Sequence, residues 1–149
     1  MPTIAAILAR KQPVHSIQSD ATAYDAARMM VEHNVGALPV LEKNRLVGVF
    51  SERDLMRRVI APGHKPAEVK VADVMTTDLV TAFIHDDDAT CLKKMTDKGC
   101  RHLPVVDKGQ LVGFLSARDV MKAQVEGMKL EIQTLTDYIY YTPPTGLRE

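Results

Sequence analysis

Apolar and polar positions follow the same order twice along this chain of 149 residues. Residues 37–50, ALPVLEKNRLVGVF, form an apolar run, a polar four-residue turn and a second apolar run. Residues 102–115, HLPVVDKGQLVGFL, repeat this arrangement. Two short apolar runs joined by a polar turn are typical of a β-hairpin. The pattern therefore predicts one hairpin in each half of the chain.

Helical periodicity precedes each hairpin, over Thr22–His33 and over Asp87–Lys98. Thr22 is followed three residues later by Asp25, a capping box that indicates a helix N-terminus. Short apolar runs before these helices predict two strands, at Val14–Ile17 and Leu79–Ala82. A serine after each hairpin predicts the start of a further helix, at Ser51 and Ser116.

The two halves are copies of one unit. Residues 38–59 align with residues 103–124 at an offset of 65 without a gap, and eleven of these 22 positions are identical. The same offset extends upstream through the predicted strand and helix, and a slip of two residues aligns IAAIL at Ile4 with VADVM at Val71. An internal repeat of this length indicates one structural unit used twice.

The order strand-helix-strand-strand-helix, present twice, predicts an α+β fold. The expected parts are a first unit at 4–60, a linker with two prolines at 61–70, a second unit at 71–126, a C-terminal helix at 127–141 and a tail at 142–149. A unit of about 65 residues is marginally stable alone, so the two units should bury apolar faces on each other. Packing about a pseudo-twofold axis would leave equivalent clefts on either side of that axis.

Composition and charge narrow the class of protein. Hydrophobic residues make up 46% and charged residues 26% of the chain, which is typical of a globular domain. Lys plus Arg and Asp plus Glu both number 19, so no overall basic field attracts nucleic acid or anionic lipid. No apolar run approaches the roughly 20 residues of a membrane span, and TIAAILARK places its basic residues after the apolar ones, unlike a signal peptide. We expect a cytoplasmic protein.

The sequence gives little support for metal or nucleophilic chemistry. HDDD, residues 85–88, could hold a cation, but acidic residues at a helix start are ordinary, and we interpret them that way. The five histidines include no His-x-x-x-His pair, and no serine or cysteine has an evident base. Cys91 and Cys100 fit neither a disulfide framework nor a zinc-site spacing, so we interpret them as buried thiols. We predict no metal ligand and no catalytic residue.

The segment GVFSERDLM at residues 48–56 recurs as GFLSARDVM at residues 113–121. One interpretation is a capping box, in which Ser51 caps a helix and Asp54 bonds back to the cap. The other is a nucleotide site, because a helix N-terminus suits a phosphate and a carboxylate one turn away can accept from both hydroxyls of a ribose.

Two further features favour the nucleotide interpretation. Arg53 and Arg118 add fixed positive charge that can contact a phosphate in bidentate fashion. Gly48 and Gly113 let another group approach the strand backbone closely. Capping alone requires neither.

The segments GALPVLEKNRLVGVFSERDLM and CRHLPVVDKGQLVGFLSARDVM resemble the core of the CBS domain, the module named after cystathionine beta-synthase. In that family a Leu-Pro-Val strand, a short turn and Gly-x-x-Ser/Thr-x-x-Asp recur. The resemblance covers Ile4 to about Val125 as one tandem pair. SERDLM, VADVMTTD and RHLPVVD are particularly similar to free-standing bacterial CBS-pair proteins.

The resemblance implies a site for an adenosine-containing ligand, most simply AMP, ADP or ATP, with S-adenosylmethionine or NADH as further candidates. Asp54 and Asp119 would bind ribose. The implied phosphate-binding residues are Ser51, Ser116, Arg53, Arg118 and Arg101. The implied adenine pocket is lined by Ser16, Ile17, Ala37, Leu38, Pro39, Thr81, Ala82, His102, Leu103 and Pro104. Arg101 has Gly36 as its counterpart, which suggests unequal sites, the one with Arg101 suiting more phosphate charge.

An apolar stripe continues past the second unit, with spacings of 4, 3, 4, 3 and 4, at Met121, Val125, Met128, Ile132, Leu135 and Ile139. It predicts either core packing within one chain or a homodimer contact, and Gly127 could bend the helix. The resemblance favours a homodimer.

The function that we expect is a regulatory, nucleotide-sensing module that binds an adenine nucleotide between its two units and regulates a partner protein in trans. An interaction homodimer with degenerate clefts is the alternative, and a nucleotide-hydrolysing enzyme is a further one. The chain lacks the catalytic domains that accompany CBS domains in enzymes, so we predict a non-enzymatic protein.

Overall fold

The computed structural model describes residues 3–11 and 13–140, so the predicted tail at 142–149 lies outside the described residues. Each half forms a three-stranded sheet, in the order β1-β2-β3 and β4-β5-β6. The strands are β1 Ile17–Gln18, β2 Ala37–Glu42, β3 Arg45–Ser51, β4 Ala82–Phe83, β5 His102–Asp107 and β6 Gln110–Ser116. The helices are α1 Ile4–Ala9, α2 Ala23–His33, α3 Glu52–Asp54, α4 Val71–Val74, α5 Asp88–Lys98 and α6 Ala117–Tyr140. The predicted α+β fold of two equivalent units is confirmed.

Both predicted hairpins are confirmed, with tighter turns than the sequence suggested. β2 and β3 pair antiparallel as far as Glu42 and Arg45, which leaves a two-residue loop. Lys43 and Asn44 have φ of 49° and 63°, and Lys108 and Gly109 have φ of 50° and 76°. Positive φ at both loop positions matches the twist of the flanking strands, which favours this short connection.

The first strand of each unit is shorter than predicted. Instead of Val14–Ile17 and Leu79–Ala82, only two residues pair in each case, and Ile17 lies opposite Val40 in a parallel ladder. The register places the preceding residue opposite Pro39 in the first sheet, and opposite Pro104 in the second. Proline has no N–H to donate, so the ladder ends at that point.

The helices that follow the hairpins differ. After α3 the first unit continues as a π-helix over Leu55–Ile60, in which the Ala61 N–H donates to the Met56 carbonyl at 2.8 Å. In the second unit α6 runs for 24 residues without interruption. Gly127 does not end it, so the segment predicted as a separate C-terminal helix continues the helix that begins at Ala117. No helix within the described residues combines the length and apolarity that crossing a membrane requires.

Each unit's core is completed by a short helix that precedes the other unit. The first core contains the sheet residues Leu38 and Phe50 together with Val71 from α4. The second core contains Leu103 and Leu115 together with Ile4 from α1. Full burial of a side chain such as isoleucine contributes about 1.5–3 kcal/mol, so this exchange ties the two units together.

The glycine before each serine box is required by these exchanged segments. A Cβ added at Gly48 would lie 2.5 Å from the Met75 Sδ and 3.0 Å from the Thr76 carbonyl oxygen. A Cβ added at Gly113 would lie 2.5 Å from Leu8 Cδ2. The close approach predicted at both glycines is therefore made by the residues that follow α4 and by α1.

Candidate functional site

Both Ser-x-x-Asp boxes are capping boxes. In the first, the Asp54 N–H donates to Ser51 Oγ at 3.1 Å and the Ser51 N–H donates to Asp54 Oδ2 at 3.0 Å. In the second, the Asp119 N–H donates to Ser116 Oγ at 3.0 Å and the Ser116 N–H donates to Asp119 Oδ2 at 2.8 Å. Capping satisfies helix N–H groups and fixes each carboxylate next to a helix N-terminus. The capping interpretation is confirmed for both boxes.

The Asp54 carboxylate is almost fully buried and contacts the segment that leads into the second unit. Thr76 Oγ1 donates to Asp54 Oδ1 at 3.1 Å. Arg58, one turn along the same helix, places its Nε 3.7 Å from Asp54 Oδ1 and donates to the Met75 carbonyl at 2.9 Å. Asp54 thus joins its own helix to the end of α4.

The Asp119 carboxylate makes the equivalent contact with a different partner. Lys11, in the segment that follows α1, donates from its Nζ to Asp119 Oδ2 and, at 2.7 Å, to the Phe114 carbonyl. Burial raises the pKa of the Asp119 carboxyl, but the hydrogen bonds from Lys11 and from the Ser116 N–H outweigh it. The pKa therefore lies below the usual value of 3.8, and the carboxylate is ionised at neutral pH.

Sequence reasoning missed Lys11 and Thr76. Lys11 and Thr76 are 65 positions apart in the sequence, the same offset that separates Asp54 from Asp119. The two residues therefore occupy equivalent positions of the repeat, which the sequence alone could have shown. Their contacts join residues 108 and 22 positions apart along the chain, which no local pattern reveals.

The three arginines predicted to contact phosphate have exposed side chains. Arg53 and Arg118 lie in the first turn of the helix that each box opens. Arg101 lies directly before β5, where its carbonyl accepts from the Ala117 N–H at 2.8 Å, so its backbone adjoins the second box.

In the first unit the position equivalent to Arg101 is Gly36, and the side chain next to it is that of Glu52. The Gly36 carbonyl accepts from the Glu52 N–H at 2.9 Å, and a Cβ added at Gly36 would lie 3.3 Å from Glu52 Oε1. A carboxylate therefore occupies the space beside the first box, whereas a guanidinium-bearing residue stands at the equivalent position beside the second. The two sites, which the sequence predicts to be unequal, thus differ in the charge of the side chain beside the box, which is negative in the first unit and positive in the second.

The residues predicted to line the adenine pocket fall into two groups. The side chains of four of them lie in the hydrophobic cores: Ile17, Leu38, Ala82 and Leu103. The side chains of these four residues are therefore not available to a ligand. The others are Ala37, Pro39 and Pro104, which are buried, and Ser16, Thr81 and His102, which are half-buried.

His102 has a defined environment beside the second box. Its ring stacks on Phe114, with centroids 5.5 Å apart and an angle of 11° between the rings. Burial, followed by the positive charges of Lys11 and Arg101, lowers the pKa of His102 from its usual 6.5. The imidazole is therefore neutral at pH 7 and can present a flat aromatic face.

The HDDD segment is used in structural contacts. Asp86 accepts from Lys94 Nζ at 2.8 Å, Asp87 caps α5, and Asp88 is fully buried and accepts from Gln124 Nε2 at 2.9 Å. Within residues 3–11 and 13–140, no three side chains of His, Cys, Asp or Glu are grouped to hold a metal ion. Burial raises the pKa of the Cys91 thiol to about 11, as expected for a buried thiol, whereas Cys100, also interpreted as buried, is only half-buried.

A hollow of about 420 Å³ lies on the exposed face of α2, lined by Ala27, Arg28, Val31 and Glu32. None of these residues belongs to the predicted site. The carboxylates of both boxes are instead in contact with side chains of their own chain, Thr76 in one case and Lys11 in the other.

Comparisons with known proteins agree on the family. The profile of the CBS domain matches residues 4–61 and 71–126. The mitochondrial CBS domain-containing protein CBSX3 of Arabidopsis thaliana is 37% identical over 126 residues, which cover 81% of this chain and 61% of that protein. CBS domain-containing protein YhcV of Bacillus subtilis is 33% identical over 112 residues, 75% of this chain and 79% of its own. The chain spans 61% and 54% of the length of the first two relatives that it matches, from Arabidopsis and Methanopyrus kandleri.

Solved structures show the same fold. A protein with CBS domains from Burkholderia ambifaria has a TM-score of 0.80 at 29% identity, covering 84% of this chain and 95% of that one. The CBS domain pair of protein MJ0100, in complex with 5′-methylthioadenosine and S-adenosyl-L-methionine, has a TM-score of 0.73 at 24% identity, covering 87% and 98%. This chain belongs to the CBS domain family and carries two CBS domains in tandem.

Proposed function

We propose that this chain is a regulatory module that binds an adenine nucleotide, AMP, ADP or ATP, between its two CBS units and thereby regulates a partner protein. The observation that carries the proposal is the pair of equivalent carboxylates, Asp54 and Asp119, each held at a helix N-terminus against the segment that leads into the other unit. A ligand that replaced these inter-unit contacts would change how firmly the two units are joined. That differential contact is what ligand-dependent regulation requires.

The chemistry of each box suits a ribose and a phosphate. Asp54 and Asp119 would accept from the ribose hydroxyls, while Ser51 and Ser116 and the adjacent helix N–H groups would face phosphate. Arg53, Arg118 and Arg101 have exposed guanidinium groups that can reach a phosphate. Membership of the family and the complex of the MJ0100 pair with adenosyl compounds support this ligand class.

Calorimetric titration with AMP, ATP, S-adenosylmethionine and NADH tests the proposal. Asp119→Ala should weaken the binding of the preferred ligand at least tenfold, because hydrogen bonds to a charged group contribute roughly 1.5–3 kcal/mol. Asp25→Ala is the matched control, since Asp25 forms the same kind of capping box with Thr22 at the start of α2. It should lower stability by about 1 kcal/mol and leave binding unchanged. Unchanged affinity in a folded Asp54→Ala/Asp119→Ala protein would falsify the site.

A second candidate is an interaction homodimer whose clefts are degenerate. It is favoured by the closure of the Asp54 carboxylate, which already has Ser51, Thr76 and Arg58 as partners. If it is correct, no adenosine ligand binds the folded protein, and the two aspartates affect stability alone. A magnesium-dependent turnover of ATP that Asp119→Ala abolished would instead favour an enzyme over both candidates.

We propose that a homodimer forms through α6. The apolar stripe from Met121 to Ile139 does not pack in either core, because its six residues are between 49% and 69% exposed and Val120 is the buried residue of this helix. Two kinds of side chain alternate along the stripe. One heptad position is β-branched, at Val125, Ile132 and Ile139. The other is unbranched or γ-branched, at Met121, Met128 and Leu135. This distribution favours a parallel two-stranded coiled coil.

Sedimentation velocity tests the dimer. Ile132→Asp places a charge in the stripe and should give monomers. Thr134→Asp, on a different face of the same helix, should leave the dimer intact. A wild-type protein that sediments as a monomer at high concentration would overturn the proposal.

A further inference from the structure

The carboxylates of Asp54 and Asp119 have different partners in the segments that follow α4 and α1. Asp54 accepts from the hydroxyl of Thr76, a neutral group that can donate and accept. Asp119 accepts from the ammonium of Lys11, which carries a full charge and can only donate. The Lys11 side chain is 30% exposed and that of Asp119 28%, so this ion pair is partly accessible to solvent.

Positive side chains adjoin Lys11. Arg101 and Arg118 have exposed side chains beside the same box. Beyond the effect of burial, Lys11 and Arg101 lower the pKa of His102 by more than the carboxylates of Asp119 and Glu52 raise it. Beside the first box the equivalent of Arg101 is Gly36, with the Glu52 carboxylate next to it. Among the described residues, the second box thus combines a lysine ammonium on its carboxylate with an arginine at the position that Gly36 takes beside the first box.

A ribose that uses both oxygens of the Asp119 carboxylate takes the place of the Lys11 ammonium, which donates to Oδ2. For adenosine, which carries no anionic group, the displaced ammonium loses its carboxylate partner and gains none. A ligand that also carries a phosphate supplies the missing anion. The four-carbon stem of lysine allows its ammonium to move from Asp119 to such a group without movement of the backbone.

We propose that Lys11 determines specificity in the second cleft, where it selects phosphorylated adenosine ligands over adenosine. This inference rests on the proposed function and adds which ligand class each cleft takes. The first cleft, with Thr76 in the equivalent position, discriminates less. Exchange of the ion pair also means that ligand binding releases the contact between Lys11 and Asp119.

The test is a titration with AMP and with adenosine, in the Asp54→Ala background so that the second cleft is measured alone, and in parallel with Asp54 intact. Lys11→Thr gives the second cleft the residue found at Thr76. It should weaken AMP binding at least tenfold and leave adenosine unchanged or tighter, because only AMP loses a charged contact. The salt dependence of AMP binding should also decrease.

Two controls make the outcomes distinct. Lys65→Thr removes one positive charge from the exposed linker and should leave the AMP-to-adenosine ratio unchanged. Thr76→Lys, in the Asp119→Ala background, should raise that ratio in the first cleft. If AMP binds but the ratio is the same in the folded Lys11→Thr protein, the role of Lys11 is overturned and the proposed function stands. If AMP, ADP, ATP and adenosine all fail to bind the parent protein, the proposed function fails, and this inference fails with it.

Discussion

The first and second units fill the space between their two main helices with different chemistry. In the first unit Ala23, at the start of α2, and Val59, in the π-helix, are both fully buried in the core. At an offset of 65 the second unit has Asp88 and Gln124, which form a hydrogen bond of 2.9 Å. The same fold thus accepts an apolar pair or a polar pair at one position.

The polar pair of the second unit is incompletely satisfied. Asp88 is fully buried, and its Oδ1 has no hydrogen-bond partner among the described residues, whereas its Oδ2 accepts from Gln124. Its place in the first turn of α5 offers some compensation from the helix dipole. A buried polar pair of this kind adds little stability over an apolar pair, but removal of one partner is costly. The fold therefore needs a buried pair of side chains at this position, but it does not need the hydrogen bond between Asp88 and Gln124.

The largest effect is expected from Gln124→Val, which leaves the buried Asp88 carboxylate without its partner. We expect it to lower the free energy of unfolding by about 3 kcal/mol. Asp88→Ala combined with Gln124→Val recreates the pair found in the first unit and should be within about 1 kcal/mol of the wild type. Chemical denaturation at one protein concentration measures both. A double variant less stable than the single Gln124→Val protein would show that the units are not interchangeable here.

A smaller effect distinguishes the two glycines. Gly48→Ala should cost about 2 kcal/mol, because the added Cβ meets the Thr76 carbonyl as well as Met75, and overpacking costs about 1–3 kcal/mol. Gly113→Ala should cost about 1 kcal/mol or less, because the three atoms nearest to the added Cβ all belong to the flexible side chain of Leu8. Thermal unfolding of the two variants gives the order. Equal losses would contradict the unequal contacts of the two segments.

The sequence predicted the features that depend on neighbouring residues and missed those that depend on contacts between distant segments. The hairpins and the cap of α2 follow from neighbouring residues, so alternation and the pair Thr22 and Asp25 were enough to predict them. The short β1 depends on its register against Pro39, which is a pairing between distant segments. The exchange of α1 and α4 between the cores is still longer in range, because a short apolar helix carries no mark of the core that it enters.

The candidate site shows the same division. The serine boxes and their aspartates were readable because they repeat in the sequence. Lys11 was not, because nothing near it in the chain indicates that it meets Asp119. Likewise, Asp88 reads as one of three acidic residues at a helix start, and only tertiary packing singles it out as buried.

The smallest effect is the pH dependence that Lys11 gives to the second unit. A carboxyl whose pKa is lower in the folded state contributes stability above its unfolded pKa, and this contribution is lost as the pH falls through the folded pKa. The Asp119 carboxyl is such a group, since the hydrogen bond from Lys11 overcomes the effect of burial. His102, whose pKa burial and Lys11 both lower, favours the folded state in its neutral form, so it adds a loss of stability as the pH falls below 6.5.

The Lys11→Met variant should be less stable than the wild type at neutral pH. This difference in the free energy of unfolding should shrink in two steps as the pH falls. At about pH 7 the wild type should be more stable by less than about 1 kcal/mol, since a partly exposed ion pair contributes little. Between about pH 7 and pH 5 the difference should shrink as His102 titrates, and below about pH 4 it should shrink again as Asp119 is protonated. Denaturation at a series of pH values measures it, and His102→Gln should remove the first step alone. A difference that is constant with pH would mean that Lys11 stabilises the second unit through the packing of its stem, and not through its charge.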